Sequence, residues 1–145
     1  MQSETFLDYT LGPTRTLFHF TYPERVDNIV HQGIFLTDIP TSPTNQGYRG
    51  VWLTEDPNPY AQGWARSAGL SGKAGARITV DIPHEILGPP YILYRWLDLA
   101  KHLEVEDFWL NAMNQAGGGG QESWWVSLVH VPPEWVSYWE ILQHG

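Results

Sequence analysis

The 145-residue chain contains no cysteine. Disulfides, thiolate zinc sites and a cysteine nucleophile are therefore excluded. Basic residues are scarce: eight Lys and Arg stand against 16 Asp and Glu, a formal net charge of −8 with neutral histidines. Sequence-independent nucleic-acid binding rests on basic phosphate contacts, for which so acidic a chain is a poor default. No apolar run approaches the ~20 residues that span a bilayer. Met1–Thr5 has neither the basic nor the apolar region of a signal peptide. No membrane partner and a cytoplasmic location are expected. The G-x-S-x-G elbow of many serine hydrolases is missing, and neither His84-Glu85 nor His102-Leu103-Glu104 has the H-E-x-x-H spacing of a metalloprotease. No metal ligand set is expected.

Large aromatics are abundant, eight of them tryptophan. Trp combines a big burial area with one polar N–H, so its ordinary use in a small domain is to fill the core. The length suits one domain with a genuine core. Residues 1–15 read as a lead-in ending near Gly12-Pro13, and residues 16–145 as a single domain.

Thr16–Phe20 reads as a strand of β-formers. Thr21-Tyr22-Pro23-Glu24 has the capping-box pattern, with Thr21 as N-cap of a helix whose face is Tyr22, Val26, Ile29 and Val30. Gly33 is placed to end it. A short strand is expected at Ile34–Leu36, a loop over 37–49 and a strand at Val51–Thr54. A helix follows around Tyr60–Ala68, then a flexible connection over 69–75. Ala76–Ile82 alternates with period two, as in a half-buried strand. Helices are expected over Arg95–Leu103 and Glu106–Ala116. The glycine run 117–120 leads to strands at Ser123–Val131 and Val136–Leu142. Strands with irregularly interspersed helices indicate an α+β fold.

Three separated segments carry unusual residues. In Leu17-Phe18-His19-Phe20-Thr21 a histidine faces away from both phenylalanines and precedes a helix start, where backbone N–H groups suit an amide or anionic ligand. In Arg49-Gly50-Val51-Trp52-Leu53-Thr54 the glycine allows close approach of a ligand to the backbone, and the indole offers a stacking face. In Gln121-Glu122-Ser123-Trp124-Trp125-Val126 a lone carboxylate opens an apolar strand. Each has an ordinary explanation: a core histidine, a core tryptophan, a solubilising strand-end acid. Together they can furnish one pocket in which Glu122 accepts a ribose hydroxyl and stabilises positive charge developing on a sugar carbon.

In this order the segments resemble the ADP-ribosyltransferase superfamily of the His-Tyr-Glu type. That group includes poly(ADP-ribose) polymerase catalytic domains, tRNA 2′-phosphotransferases and toxin-like DNA-modifying transferases of the DarT kind. His19-Phe20-Thr21 resembles its His-x-Thr/Ser strand, and Tyr48-Arg49-Gly50-Val51-Trp52-Leu53-Thr54 its Gly-x-Gly-Ile-Tyr motif. Glu122-Ser123-Trp124-Trp125-Val126 resembles its glutamate-led strand. The likeness spans about residues 16–142. Trp stands at 52 where the family has tyrosine, which keeps the ring and loses the phenol. Phe20 stands where the eukaryotic polymerases have glycine.

The resemblance implies a split, twisted sheet with short flanking helices and NAD as the substrate bound in its cleft. His19 would bind the adenosine-side ribose, and the Phe20 backbone, beside Thr21, the nicotinamide carboxamide. Trp52 would lie along nicotinamide, with Tyr60 or Trp64 as a second stacking face and Arg49 in the same pocket. Glu122 would be the catalytic carboxylate, with a mobile glycine run before it choosing the acceptor. The acidic balance favours a protein or small molecule as acceptor. A nucleic acid needs the few arginines, Arg49 and Arg66 among them, along one groove. Two other readings use the same scaffold. One is a tRNA 2′-phosphotransferase-like enzyme, for which the arginines are scattered. The other is a non-catalytic binding or accessory module, whose pocket would be filled by tryptophan side chains.

Overall fold

Every pairing between the described strands is antiparallel, and the strands form one seven-stranded sheet. The structure is a computed structural model, which describes residues 14–39, 41–42, 48–58, 75–87, 91–116 and 120–142. The elements in chain order are β1 (Thr14–Thr21), a 3-10 turn (Pro23–Arg25), α1 (Val26–Gln32), β2 (Thr37–Asp38), β3 (Arg49–Thr54) and β4 (Ala76–Pro83). A 3-10 turn (His84–Ile86), β5 (Leu93–Arg95), α2 (Trp96–His102), α3 (Asp107–Ala116), a 3-10 turn (Gln121–Ser123), β6 (Trp124–Ser127), a last 3-10 turn (Pro133–Trp135) and β7 (Val136–Ile141) follow. The order across the sheet is β5-β6-β3-β1-β4-β7, with β2 beside β3. The fold is α+β, as its sequence pattern indicates.

The sheet is two ladders joined at a narrow seam. β1 pairs with β4 along eight residues, from Thr14 opposite Pro83 to Thr21 opposite Ala76. β3 pairs with β6 from Val51 opposite Ser127 to Thr54 opposite Trp124. Between β1 and β3 the ladder holds a single pair, Phe18 opposite Thr54.

Two cores lie on the two faces, as the alternation of strand side chains requires. One gathers Leu17, Val51, Leu53, Ile78, Val80, Ile82 and Trp125 under Val26 and Ile29 of α1. The other gathers Trp124 and Val126 with Trp96, Leu99 and Ala100 of α2, and Leu110 and Met113 of α3 pack against it. The sheet thus separates α1 from the α2–α3 layer.

Several boundaries differ from the sequence expectation. β1 starts at Thr14, inside the expected lead-in, because Thr14 and Arg15 continue the ladder with β4. Thr21 does not cap α1. It ends β1 opposite Ala76 and is buried, while Pro23 opens a 3-10 turn and no side chain caps α1. The strand expected at Ile34–Leu36 is one bridge, Ile34 to Val131, and pairing resumes at β2, inside the expected loop. The strand expected at Ser123–Val131 ends at Ser127, whose Oγ donates to the Val129 carbonyl and turns the chain. Gly33 ends α1 as expected: its φ is 84°, and its N–H donates to the Ile29 carbonyl. The helix expected at Tyr60–Ala68 and most of the connection at 69–75 lie outside the described residues, as do Gly117–Gly119.

Candidate functional site

The three singled-out segments lie on β1, β3 and the approach to β6, which are consecutive in the sheet. The seam between β1 and β3 is therefore where any shared chemistry must be sought.

His19 spans this seam. Its Nδ1 lies 2.8 Å from the Trp52 carbonyl oxygen. A carbonyl only accepts, so Nδ1 donates. On the other side of the Phe18–Thr54 pair, an Arg15 guanidinium nitrogen lies 3.4 Å from Glu55 Oε1. Side-chain ties thus flank the one backbone pairing.

Trp52 contributes its backbone to the seam and its ring elsewhere. His19 stands opposite Ile78, which belongs to the α1-side core, whereas Trp52 stands opposite Val126, which belongs to the α2-side core. Imidazole and indole are rooted on opposite faces. The indole packs edge-on against Trp96 and Trp124, with ring centroids 5.2 and 5.5 Å away. Such edge-to-face pairs are favourable by about 0.5–1.5 kcal/mol beyond the area they bury.

Gly50 permits a close approach, though the neighbour is β6. A Cβ there would stand 2.5 Å from Val126 Cγ1 and 3.0 Å from the Ser127 carbonyl oxygen. Arg49 is exposed and donates to the Leu36 carbonyl at 2.9 Å. It stands five residues from Thr54, roughly 17 Å along the strand at ~3.3 Å per residue, so β3 holds it away from Glu122. Phe20 and Thr21 are buried in β1. Tyr60, Trp64 and Arg66 lie outside the described residues.

Glu122 is exposed, in the 3-10 turn that leads into β6. Its neighbours are anchored on both sides. The Ser123 carbonyl accepts the Glu55 N–H at 3.0 Å and the Thr54 hydroxyl at 3.1 Å, which ties the turn to the end of β3. Gly120 adopts φ 94°, and its carbonyl accepts from both the N–H and the hydroxyl of Ser123. Gln121 is buried: its Oε1 accepts the Trp96 indole N–H at 2.7 Å, and its Nε2 donates to the Leu110 carbonyl at 3.1 Å. The carboxylate of Glu122 makes no hydrogen bond or ion pair among the described residues.

A second polar cluster, which sequence reasoning missed, stands at the same end of the sheet. Glu55 Oε1 accepts from the fully buried Trp125 indole at 2.8 Å, from Arg95 at 3.2 Å and from Arg15 at 3.4 Å. Both guanidiniums also lie over the Trp125 ring, 4.5 and 4.7 Å from its centroid. The cluster ties β1, β3, β5 and β6 together. Its one sequence signal is the acid directly after Leu53-Thr54.

A groove of about 430 Å³ lies elsewhere, along α1 and β7, lined by Val30, Pro133, Val136, Ser137, Tyr138 and Trp139. Among the described residues its wall holds no carboxylate, imidazole or cation, and none of the described site residues lines it. No group of three or more His, Asp or Glu suited to a metal ion occurs among the described residues. No described helix is long and apolar enough to cross a membrane.

No protein-family model matches the chain, and neither a curated protein nor a solved structure matches it.

Proposed function

We propose that this protein is an NAD-dependent ADP-ribosyltransferase, with NAD a substrate at the β1–β3 seam and Glu122 the catalytic carboxylate. The observation that carries the reading is adjacency: three segments far apart in sequence lie on consecutive strands, in the order β6-β3-β1. His19, tied to the Trp52 carbonyl, holds the adenosine-side ribose. The backbone at Phe20 and Thr21 receives the carboxamide. Tyr60 and Trp64 take their stacking roles from the family resemblance alone.

In the reaction the bond from C1′ of the nicotinamide ribose to the ring nitrogen breaks. Its electron pair leaves with nicotinamide, which becomes neutral. The acceptor bonds to C1′ and gives up a proton. Positive charge builds on the ribose as the bond breaks, and a fixed carboxylate at Glu122 stabilises it. The acidic chain favours a protein or small molecule as acceptor over a nucleic acid, and its lack of cysteine fits a cytoplasmic location. The test is Glu122→Gln: nicotinamide release should vanish while NAD binding and the fold persist. Release at the parent rate would remove Glu122 from the reaction.

A second reading, a non-catalytic binding module on the same scaffold, is favoured by the packing of Trp52 against Trp96 and Trp124. There the aromatic surface is spent on the core rather than on a ligand. NAD bound without nicotinamide release, whatever acceptor is added, would support it.

A further inference from the structure

Gln121 is one of only four buried polar residues among those described, with Thr21, Thr54 and Ser127. Burying a side-chain amide is costly unless its donor and acceptor are satisfied. Here each is used once: the oxygen on Trp96 in α2, the nitrogen on the Leu110 carbonyl in α3. One side chain thus fastens both helices of the α2–α3 layer to the turn before β6. On the far side, Ser123 is fastened to Thr54 and Glu55 of β3. Between the two anchors stands Glu122, exposed and committed to no partner among the described residues. A solubilising surface acid has no need of such a mount. A carboxylate that must meet a developing charge does, because misplacement by about an ångström costs roughly 100-fold in rate.

We infer that Gln121 is a positioning residue: its bonds to Trp96 and Leu110 hold the turn that presents Glu122 to the substrate. The inference rests on the transferase reading, and its test separates the two. Gln121→Met keeps the length of the side chain and removes both bonds. Trp96→Phe removes the indole N–H without touching the turn, and it carries the test if Gln121→Met does not fold. Either variant should lower kcat for nicotinamide release by roughly 10- to 100-fold, with the Kd for NAD within about twofold of the parent, since Gln121 is buried and its amide is committed to Trp96 and Leu110. A role confined to stability would lower the melting temperature and leave kcat of the folded fraction unchanged, which would overturn the inference.

A second readout needs no activity. The chain has no cysteine, so Glu122→Cys gives a unique attachment point for a nitroxide spin label. The label should be restricted in the Glu122→Cys protein and should gain motion when Gln121→Met or Trp96→Phe is added. Identical spectra in all three proteins would overturn the inference whatever the kinetics. A label freed by these changes, in a protein whose parent releases no nicotinamide, would overturn the transferase reading and uphold Gln121 as the anchor of the turn.

Discussion

At the scale of single residues, exposure and bonding separate chemistry from support. Glu122 is exposed and uncommitted among the described residues, so Glu122→Gln should change stability by no more than about 0.5 kcal/mol. Loss of an electrostatic stabiliser of the transition state should lower nicotinamide release by about 10²–10³-fold. Urea melts and chromatography of released nicotinamide read the two effects separately. His19→Ala removes both the tie to the Trp52 carbonyl and the hydrogen bond proposed to the adenosine-side ribose, and the second of these is what NAD affinity reads. A net hydrogen bond is worth about 0.5–1.5 kcal/mol, and calorimetry should show NAD affinity down by up to about tenfold. Unchanged affinity would take His19 out of the site. Glu122 was conspicuous in the sequence, as an acid heading an apolar run. Gln121, its neighbour, was not. Its partners Trp96 and Leu110 are 25 and 11 residues away, and nothing local distinguishes a buried glutamine from an exposed one.

At the scale of elements, the turns and ties decide more than the propensities. Gly33 ends α1 at φ 84° and ψ −168°, a conformation open essentially only to glycine, and a Cβ there would collide with the Val131 carbonyl oxygen. Gly33→Ala should cost at least about 1–2 kcal/mol from the backbone conformation alone, and more from the clash with the bridge that joins Ile34 to Val131. At the Glu55 cluster two costs compete. The arginine pairs are partly exposed and worth about 0–1 kcal/mol each. The indole N–H of the buried Trp125 would be left without its acceptor, at about 1–3 kcal/mol. Glu55→Ala should therefore destabilise more than Arg95→Ala in urea melts, and the reverse order would mean that the guanidiniums dominate. The period-two strand β4 was legible because one of its faces is buried and the other is not. β5, three residues long and, among the described strands, paired only with β6, carries too little pattern to show. The apparent capping box at Thr21 misled because tertiary pairing with Ala76 draws that residue into β1.

At the scale of the whole molecule, one sheet serves two cores. Side chains from β3 and β6 alternate between the α1 layer and the α2–α3 layer, while β4 buries only its α1-side face, so neither core can melt while the sheet stays intact. Ile78→Ala on one face and Leu99→Ala on the other should each cost about 2–5 kcal/mol. Both should shift a single transition, coincident by far-ultraviolet and near-ultraviolet circular dichroism. Two separated transitions would show that the ladders on either side of the seam unfold independently. The fold class was legible from element order, whereas the narrowness of the seam was not, since it is a matter of register between β1 and β3. The central claim is that this seam binds and cleaves NAD. The direct test is to titrate the purified protein with NAD in a calorimeter while nicotinamide in the same sample is followed by chromatography. Saturable binding with nicotinamide release, lost in Glu122→Gln, is the expected result. No heat of binding and no nicotinamide would contradict the account and leave the three strands as scaffold.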